Sequence, residues 1–414
     1  MDRKSWILVI LVSVLLILTG ALMFMKEEKK DEKENHEEVI TKADEEVAKN
    51  FTVNLIKKIH ANNNYLISPY SIEIALNMLR EGTNGNTKEE IDKVIGKRHI
   101  NDLKIPNKLN IANAIFIKDY YQDKIKKSFT NTLVNQYNAE MLYDKFTTPD
   151  VINNWVNKKT NGMIPKVIDS IDSNFVMGLA NAVALDIKWQ KEFECNNTRS
   201  DKFTKLNGEQ IDIEMMHDTY RGSDYKYINE ANLKGVILPY KKEENSNNEL
   251  EFIGLLPDNI DEFINTLDLD IIDKLSKEAS DKVRIQLSLP RFTYSYDVKE
   301  FKEILYDLGI RDAFNETNAD FTRILDRKDM NNNLYVDTAI HKTKIELMES
   351  GTKAAAVTYF GIKANGMIPN DFESIDIAFN KPFIYLIREK NTKEILFFGM
   401  VNEPNLWKGM TCDN

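Results

Sequence analysis

The 414-residue sequence predicts an α+β fold in a single large domain. Three observations predict it. Amphipathic helical segments with start and stop signals alternate irregularly with apolar strand runs. The C-terminal runs PFIYLIRE and ILFFGMV, joined by KNTKE, read as an antiparallel hairpin. A globular texture holds over residues 41–404, with no Gly/Ser-rich linker and no internal repeat.

The elements follow in order. After MDRK, residues 5–25 (SWILVILVSVLLILTGALMFM) carry no charge. As a helix they would rise about 31 Å, roughly a bilayer core. This segment, 1–25, reads as a signal anchor, or as a signal peptide cut after Ala21, where Thr19 and Ala21 are small. Its length favours the anchor. The remainder is then extracytoplasmic, either membrane-anchored or secreted. Lys26, Lys29, Lys30 and Lys33 follow the segment, which runs against the positive-inside rule. Residues 26–40 form a charged linker.

VAKNFTVNLIKKIH places Val47, Phe51, Leu55 and Ile56 on one helical face. In SPYSIEIALNML, Ser68 is a cap and Pro69 opens the helix. DVINNWVNKKT is a further amphipathic helix. DVKEFKEILYDLGI is predicted to start at Asp297 and stop at Gly309. Strands are predicted in GVILPY, EFIGLLP, VRIQLSLPRF and NLYVDTAIHKTKIELM. KKEENSNNE is a polar loop between two of these runs. Residues 405–414 form a C-terminal tail.

Composition excludes several functions. The net charge is −10 with no basic stripe, so no nucleic-acid partner is expected. The two cysteines, Cys195 and Cys412, are no disulfide framework; one bridge is possible if they meet, and the reading favours two free thiols. No metal-ligand spacing and no cofactor motif occurs. The histidines (His36, His60, His99, His217, His341) accompany no nucleophile elbow or phosphate loop, so no enzyme is predicted.

Residues 349–374, ESGTKAAAVTYFGIKANGMIPNDFES, are built like a strand although they sit where a loop is expected. Counting alternate residues from Thr352, one face holds Thr352, Ala354, Ala356, Thr358, Phe360, Ile362 and Ala364. Lys353 and Lys363 both fall on the other face. No proline interrupts residues 351–368, so no ladder donor is missing.

The chain resembles the serpin family over nearly all of residues 45–404. ISPYSIEIALNML with GTNGNTKEEI, LNIANAIF, INNWVNKKTNGMI, GLANAVALDIKW, LSLPRF, VDTAIHKTKIELMESGTKAAA, FNKPFIYLI and LFFGMVNEP carry the likeness, in order. The resemblance implies three β-sheets, about nine helices and an exposed reactive loop, here about 349–378. It implies an irreversible protease inhibitor acting as a suicide substrate, directed against serine proteases. The target protease forms a covalent acyl complex with the cut loop, which inserts as a strand into the main sheet. The alternatives are a cross-class inhibitor of a cysteine protease and a non-inhibitory binding protein on the same scaffold. A monomer is expected.

The resemblance also implies residue roles. Glu349, Gly351, Thr352, Ala354, Ala355 and Ala356 match the hinge. Trp189, Arg291 and Glu349 match the breach at the head of the sheet. Ser68, Ser71, Asn181 and His341 match the polar shutter where the central strands part. Family spacing from Gly351 puts the reactive bond between Asn365 and Gly366, with Lys363 and Met367 as alternatives. The chain departs from the family in a reactive loop roughly six residues longer, which costs little closure entropy. The short stretch before LNIANAIF leaves little room for a heparin-type site, so no such cofactor is expected.

Overall fold

The structure, a computed structural model, describes residues 41–97, 109–220, 225–244, 246–281, 283–329, 333–352 and 373–404. The chain divides into Met1–Lys42 and Ala43–Asn414, and apart from Lys42 every described helix and strand lies in the second unit. Its elements begin with α1 (Lys42–Ile59), β1 (Tyr65–Ile67), α2 (Pro69–Glu81) and α3 (Gly85–Ile95). There follow β2 (Leu109–Lys118), α4 (Lys127–Tyr137), β3 (Ala139–Asp144), α5 (Asp150–Lys159), β4 (Met177–Leu185) and β5 (Ile187–Lys188). Next come β6 (Arg199–Thr204), β7 (Gln210–Tyr220), β8 (Lys226–Glu230), β9 (Leu233–Pro239) and β10 (Leu250–Pro257). Then α6 (Ile260–Asn265), α7 (Leu269–Glu278), β11 (Val283–Pro290), β12 (Phe292–Asp297) and α8 (Phe301–Leu308). The chain closes with β13 (Lys342–Met348), β14 (Gly351–Thr352), β15 (Glu373–Ala378), β16 (Phe383–Glu389) and β17 (Ile395–Val401).

Every residue of β10, β16 and β17 is buried, so both faces of the six-stranded sheet β1-β17-β16-β10-β9-β8 are covered along these three strands. Near-continuous apolar runs are what a strand covered on both faces requires. The predicted hairpin is there: β16 and β17 pair antiparallel from Phe383↔Val401. A second sheet, β15-β11-β7-β6, carries one parallel pair, β11 with β15. The remaining strands form β3-β2-β4 and β12-β13-β14-β5. These two continue one another, because β4 runs into β5 with only Asp186 between them. Counted that way there are three sheets, as expected. Eight α-helices occur among the described residues.

Helix α2 sets the middle of the molecule. The Ser68 hydroxyl accepts the Ser71 amide at 3.2 Å and Pro69 stands in the first turn, where its missing N–H is no loss. The helix packs against both β17 and β4, so its N-terminus lies between the apolar sheet and the central one.

Three expectations need correction. Helix α8 starts at Phe301, not at Asp297, because Asp297 is still paired with Lys342 in the β12–β13 ladder. Its cap, Glu300, takes the left-handed conformation (φ 53°) with no side-chain cap bond, whereas Gly309 ends the helix at φ 118° as predicted. The run VRIQLSLPRF is two strands in different sheets, with Arg291 at the switch. Only residues 342–348 of NLYVDTAIHKTKIELM are strand, since residues 334–341 meet no ladder partner among the described residues.

Among the described residues no helix is long and apolar enough to cross a membrane, and residues 5–25 lie outside them. The favoured reading of two free thiols fails for Cys195, which is disulfide-bonded. The chain's other cysteine, Cys412, lies outside the described residues.

Candidate functional site: the head and pivot of the central sheet

The turn at Glu349 and Ser350 reverses the chain from β13 into β14. Strand β14 is only Gly351 and Thr352, yet it pairs on both sides: Leu347↔Thr352 and Met348↔Gly351 with β13, Gly351↔Lys188 and Thr352↔Ile187 with β5. Glycine is needed there. A Cβ at 351 would meet the Ile187 carbonyl oxygen at 2.1 Å, far inside contact distance.

Trp189 holds the turn from beneath. Its indole N–H donates to the Met348 carbonyl at 2.9 Å, and its backbone N–H donates to the Ser350 carbonyl at 3.0 Å. The buried indole stacks on Tyr240 at 4.6 Å between centroids. The Tyr240 hydroxyl lies 2.6 Å from Thr352 Oγ1. Burial pushes the Tyr240 phenol far above its ordinary pKa, so it stays a neutral hydrogen-bonding group.

Charge closes the head of the sheet. Arg291 Nη1 approaches Glu349 Oε1 at 3.5 Å, and Nη2 pairs with Glu214. The Thr198 hydroxyl donates to Glu349 Oε1 at 2.7 Å. Arg291 is placed by the sheet switch itself, where its backbone N–H donates to the Glu214 carbonyl at 2.9 Å. The planar fork of arginine suits a residue standing between two carboxylates.

The pivot lies lower, at the N-terminus of α2. The Ser68 amide donates to His341 Nε2 at 3.0 Å, so this nitrogen is an acceptor and the ring is neutral. Burial lowers the His341 pKa to about 4. The Ser71 hydroxyl donates to Asn181 Oδ1. Asn181 in turn donates to Asn113 Oδ1 at 2.8 Å, and Asn113 donates to the Tyr137 carbonyl at 2.6 Å. The four predicted residues therefore form two pairs, Ser68 with His341 and Ser71 with Asn181, joined by the Ser68 cap bond.

The structure brings Glu349, Arg291 and Trp189 together at one end, and Ser68, Ser71, Asn181 and His341 at the centre. Gly351 and Thr352 lie at the head. Ala354, Ala355, Ala356, Lys363, Asn365, Gly366 and Met367 lie outside the described residues. Sequence reading missed Asn113, Thr198, Glu214 and Tyr240. Asn113 had a signal, a polar residue inside the apolar run LNIANAIF; the other three had none. Among the described residues no group of side chains could hold a metal ion.

Taken together, the fold and this cluster define a protein whose central sheet holds a two-residue strand, Gly351–Thr352, between β13 and β5 at its head. A family model described as Serpin (serine protease inhibitor) matches residues 46–404, and the chain belongs to the serpin family. Leukocyte elastase inhibitor of Xenopus tropicalis is 30% identical, covering 86% of this chain and 97% of that protein. The crystal structure of the thermophilic serpin tengpin in its native state has a TM-score of 0.74 at 33% identity, covering 89% of this chain and 96% of that one. Human thyroxine-binding globulin complexed with thyroxine also reaches a TM-score of 0.74, at 25% identity, covering 88% of this chain and 99% of that one.

Proposed function

We propose that the chain is an irreversible protease inhibitor that acts as a suicide substrate, tethered outside the membrane by residues 5–25 or secreted. One observation carries the reading: Gly351 and Thr352 already pair as a third strand between β13 and β5. The residues that follow are small and alternate as a one-sided strand, so continuing that strand meets little steric resistance.

The chemistry belongs to the protease. Its nucleophile attacks the carbonyl carbon of Asn365, and the amine of Gly366 leaves with a proton. An ester, or a thioester with a cysteine protease, then joins the two proteins. The cut loop is free at one end and zips down between β13 and β4. It carries the acyl-enzyme with it before water can release it. Glu349, Gly351, Thr352, Ala354, Ala355 and Ala356 serve as the hinge, Trp189, Arg291 and Glu349 guard the point of first insertion, and Ser68, Ser71, Asn181 and His341 let the strands separate.

The relative named for elastase inhibition supports the inhibitor class. The likeness to a thyroxine carrier keeps a non-inhibitory binding role as the second reading. A panel of serine and cysteine proteases separates them. An inhibitor leaves a complex that survives denaturing electrophoresis and releases a peptide beginning near residue 366. If every protease that cuts the loop leaves only free products, the inhibitor reading fails.

A further inference from the structure

The registers on either side of β14 can be continued by one residue. Leu347↔Thr352 places residue 353 opposite Glu346, and Thr352↔Ile187 places it opposite Asp186. Directly opposed residues share a face of the sheet. Thr352, Ile187 and Leu347 share the buried face, against Tyr240. A residue continuing β14 in these registers would therefore take the opposite face, with Asp186 and Glu346. Residue 353 is a lysine, which is not itself among the described residues, so the slot is defined by its two walls.

Those walls are acidic on both sides. Glu346 is buried and pairs with Lys344 Nζ at 2.6 Å. Asp186 sits at the interruption between β4 and β5. Directly beyond Thr352 a narrow cavity runs between the strands, lined by Val183, Ala184, Leu185, Lys344 and Ile345. The next residue on this face, 355, is an alanine and would meet Ala184 and Lys344, where a second cation would be repelled.

We propose that Asp186 and Glu346 form a charge-keyed slot for the Lys353 ammonium, which fixes the register of the inserting strand. Asp186, Lys353, Glu346 and Lys344 then alternate in sign across one face of the sheet. A slip of one residue would place Thr352 or Ala354 between the two carboxylates and turn the apolar face outward. The slot deepens the insertion reading above and rests on it.

The test is the thermal midpoint of intact protein and of protein nicked between residues 361 and 368, with the nick verified by mass. For wild type, K353Q, K353E, D186K and the double variant K353E/D186K, the rise on nicking is compared. Each uncleaved protein corrects for effects on the starting fold. The slot predicts a rise smaller in K353E than in K353Q by about 2 °C or more, with at least half recovered in the double variant. If wild type gains stability on nicking while K353E and K353Q gain equally, the slot is wrong and insertion stands. If wild type gains nothing, the insertion reading fails and takes the slot with it.

Discussion

His341 is the residue whose chemistry is most exposed to test. It is buried, accepts a hydrogen bond from the Ser68 amide, and has a pKa lowered to about 4 by burial. Below about 6.5 the unfolded chain takes up a proton at this residue that the folded chain refuses. Folded stability is therefore full above pH 6.5 and falls as the pH drops towards 4. The loss approaches about 3 kcal/mol, on the order expected for a shift of this size. Below 4 the folded protein also binds the proton and the deficit stops growing. Urea titrations of wild type and His341→Gln across pH 7 to 4 check this. The wild-type curve should decline more steeply, and parallel curves would show that His341 does not carry the dependence. Charging His341 also removes the acceptor for the Ser68 amide, so acid should loosen the pivot of the central sheet first.

At the scale of elements, β14 decides the account. In the proposed inserted state, continuing its registers would put residue 354 opposite Leu185 and Ile345, in the middle of a three-strand ladder. Proline there deletes a donor and is tolerated in sheets only at edges and bulges. Ala354→Pro should therefore leave the loop cleavable but turn a trapped protease into a released one. The check is the ratio of covalent complex to cleaved product for a protease that wild type traps. If the variant traps protease at the wild-type stoichiometry, strand insertion is not the mechanism.

Elements were legible where their signals are local. Ser68 and Pro69 start α2 through an amide that the serine itself satisfies, and Gly309 stops α8 through a conformation that glycine adopts easily. The start of α8 was not legible, because Asp297 was claimed by a strand partner far away in sequence. Residues 334–341 alternate like a strand, but alternation records only a preference for two faces, not whether a neighbour is present. Within the site, Gly351, Thr352, Trp189 and the Ser68/Ser71 pair could be picked out from motifs. Tyr240, Thr198 and Glu214 could not. Each matters only through a partner that folding delivers: the Thr352 hydroxyl, the Glu349 carboxylate and the Arg291 guanidinium.

On the scale of the whole molecule, the proposed insertion requires a fold held short of its most stable arrangement. The β4 and β13 strands are unpaired with each other among the described residues, and only two residues of a third strand lie between β13 and β5. Filling that gap would add ladder hydrogen bonds on both sides and bury Ala354, Ala356, Phe360 and Ile362 along one face. Strands β10, β16 and β17 are buried at every residue; the buried Arg388 of β16 pairs with Glu251 of the neighbouring β10 at 2.7 Å and reaches α7 through Ser276 at 2.9 Å and Asp273. The direct measurement is the melting temperature of the wild-type protein before and after a single cut between residues 361 and 368, with both fragments retained. Insertion predicts that the nicked protein melts higher, by about 10 °C or more for a strand of this length. A nicked protein that melts at the same temperature as the intact one, or lower, would contradict the account.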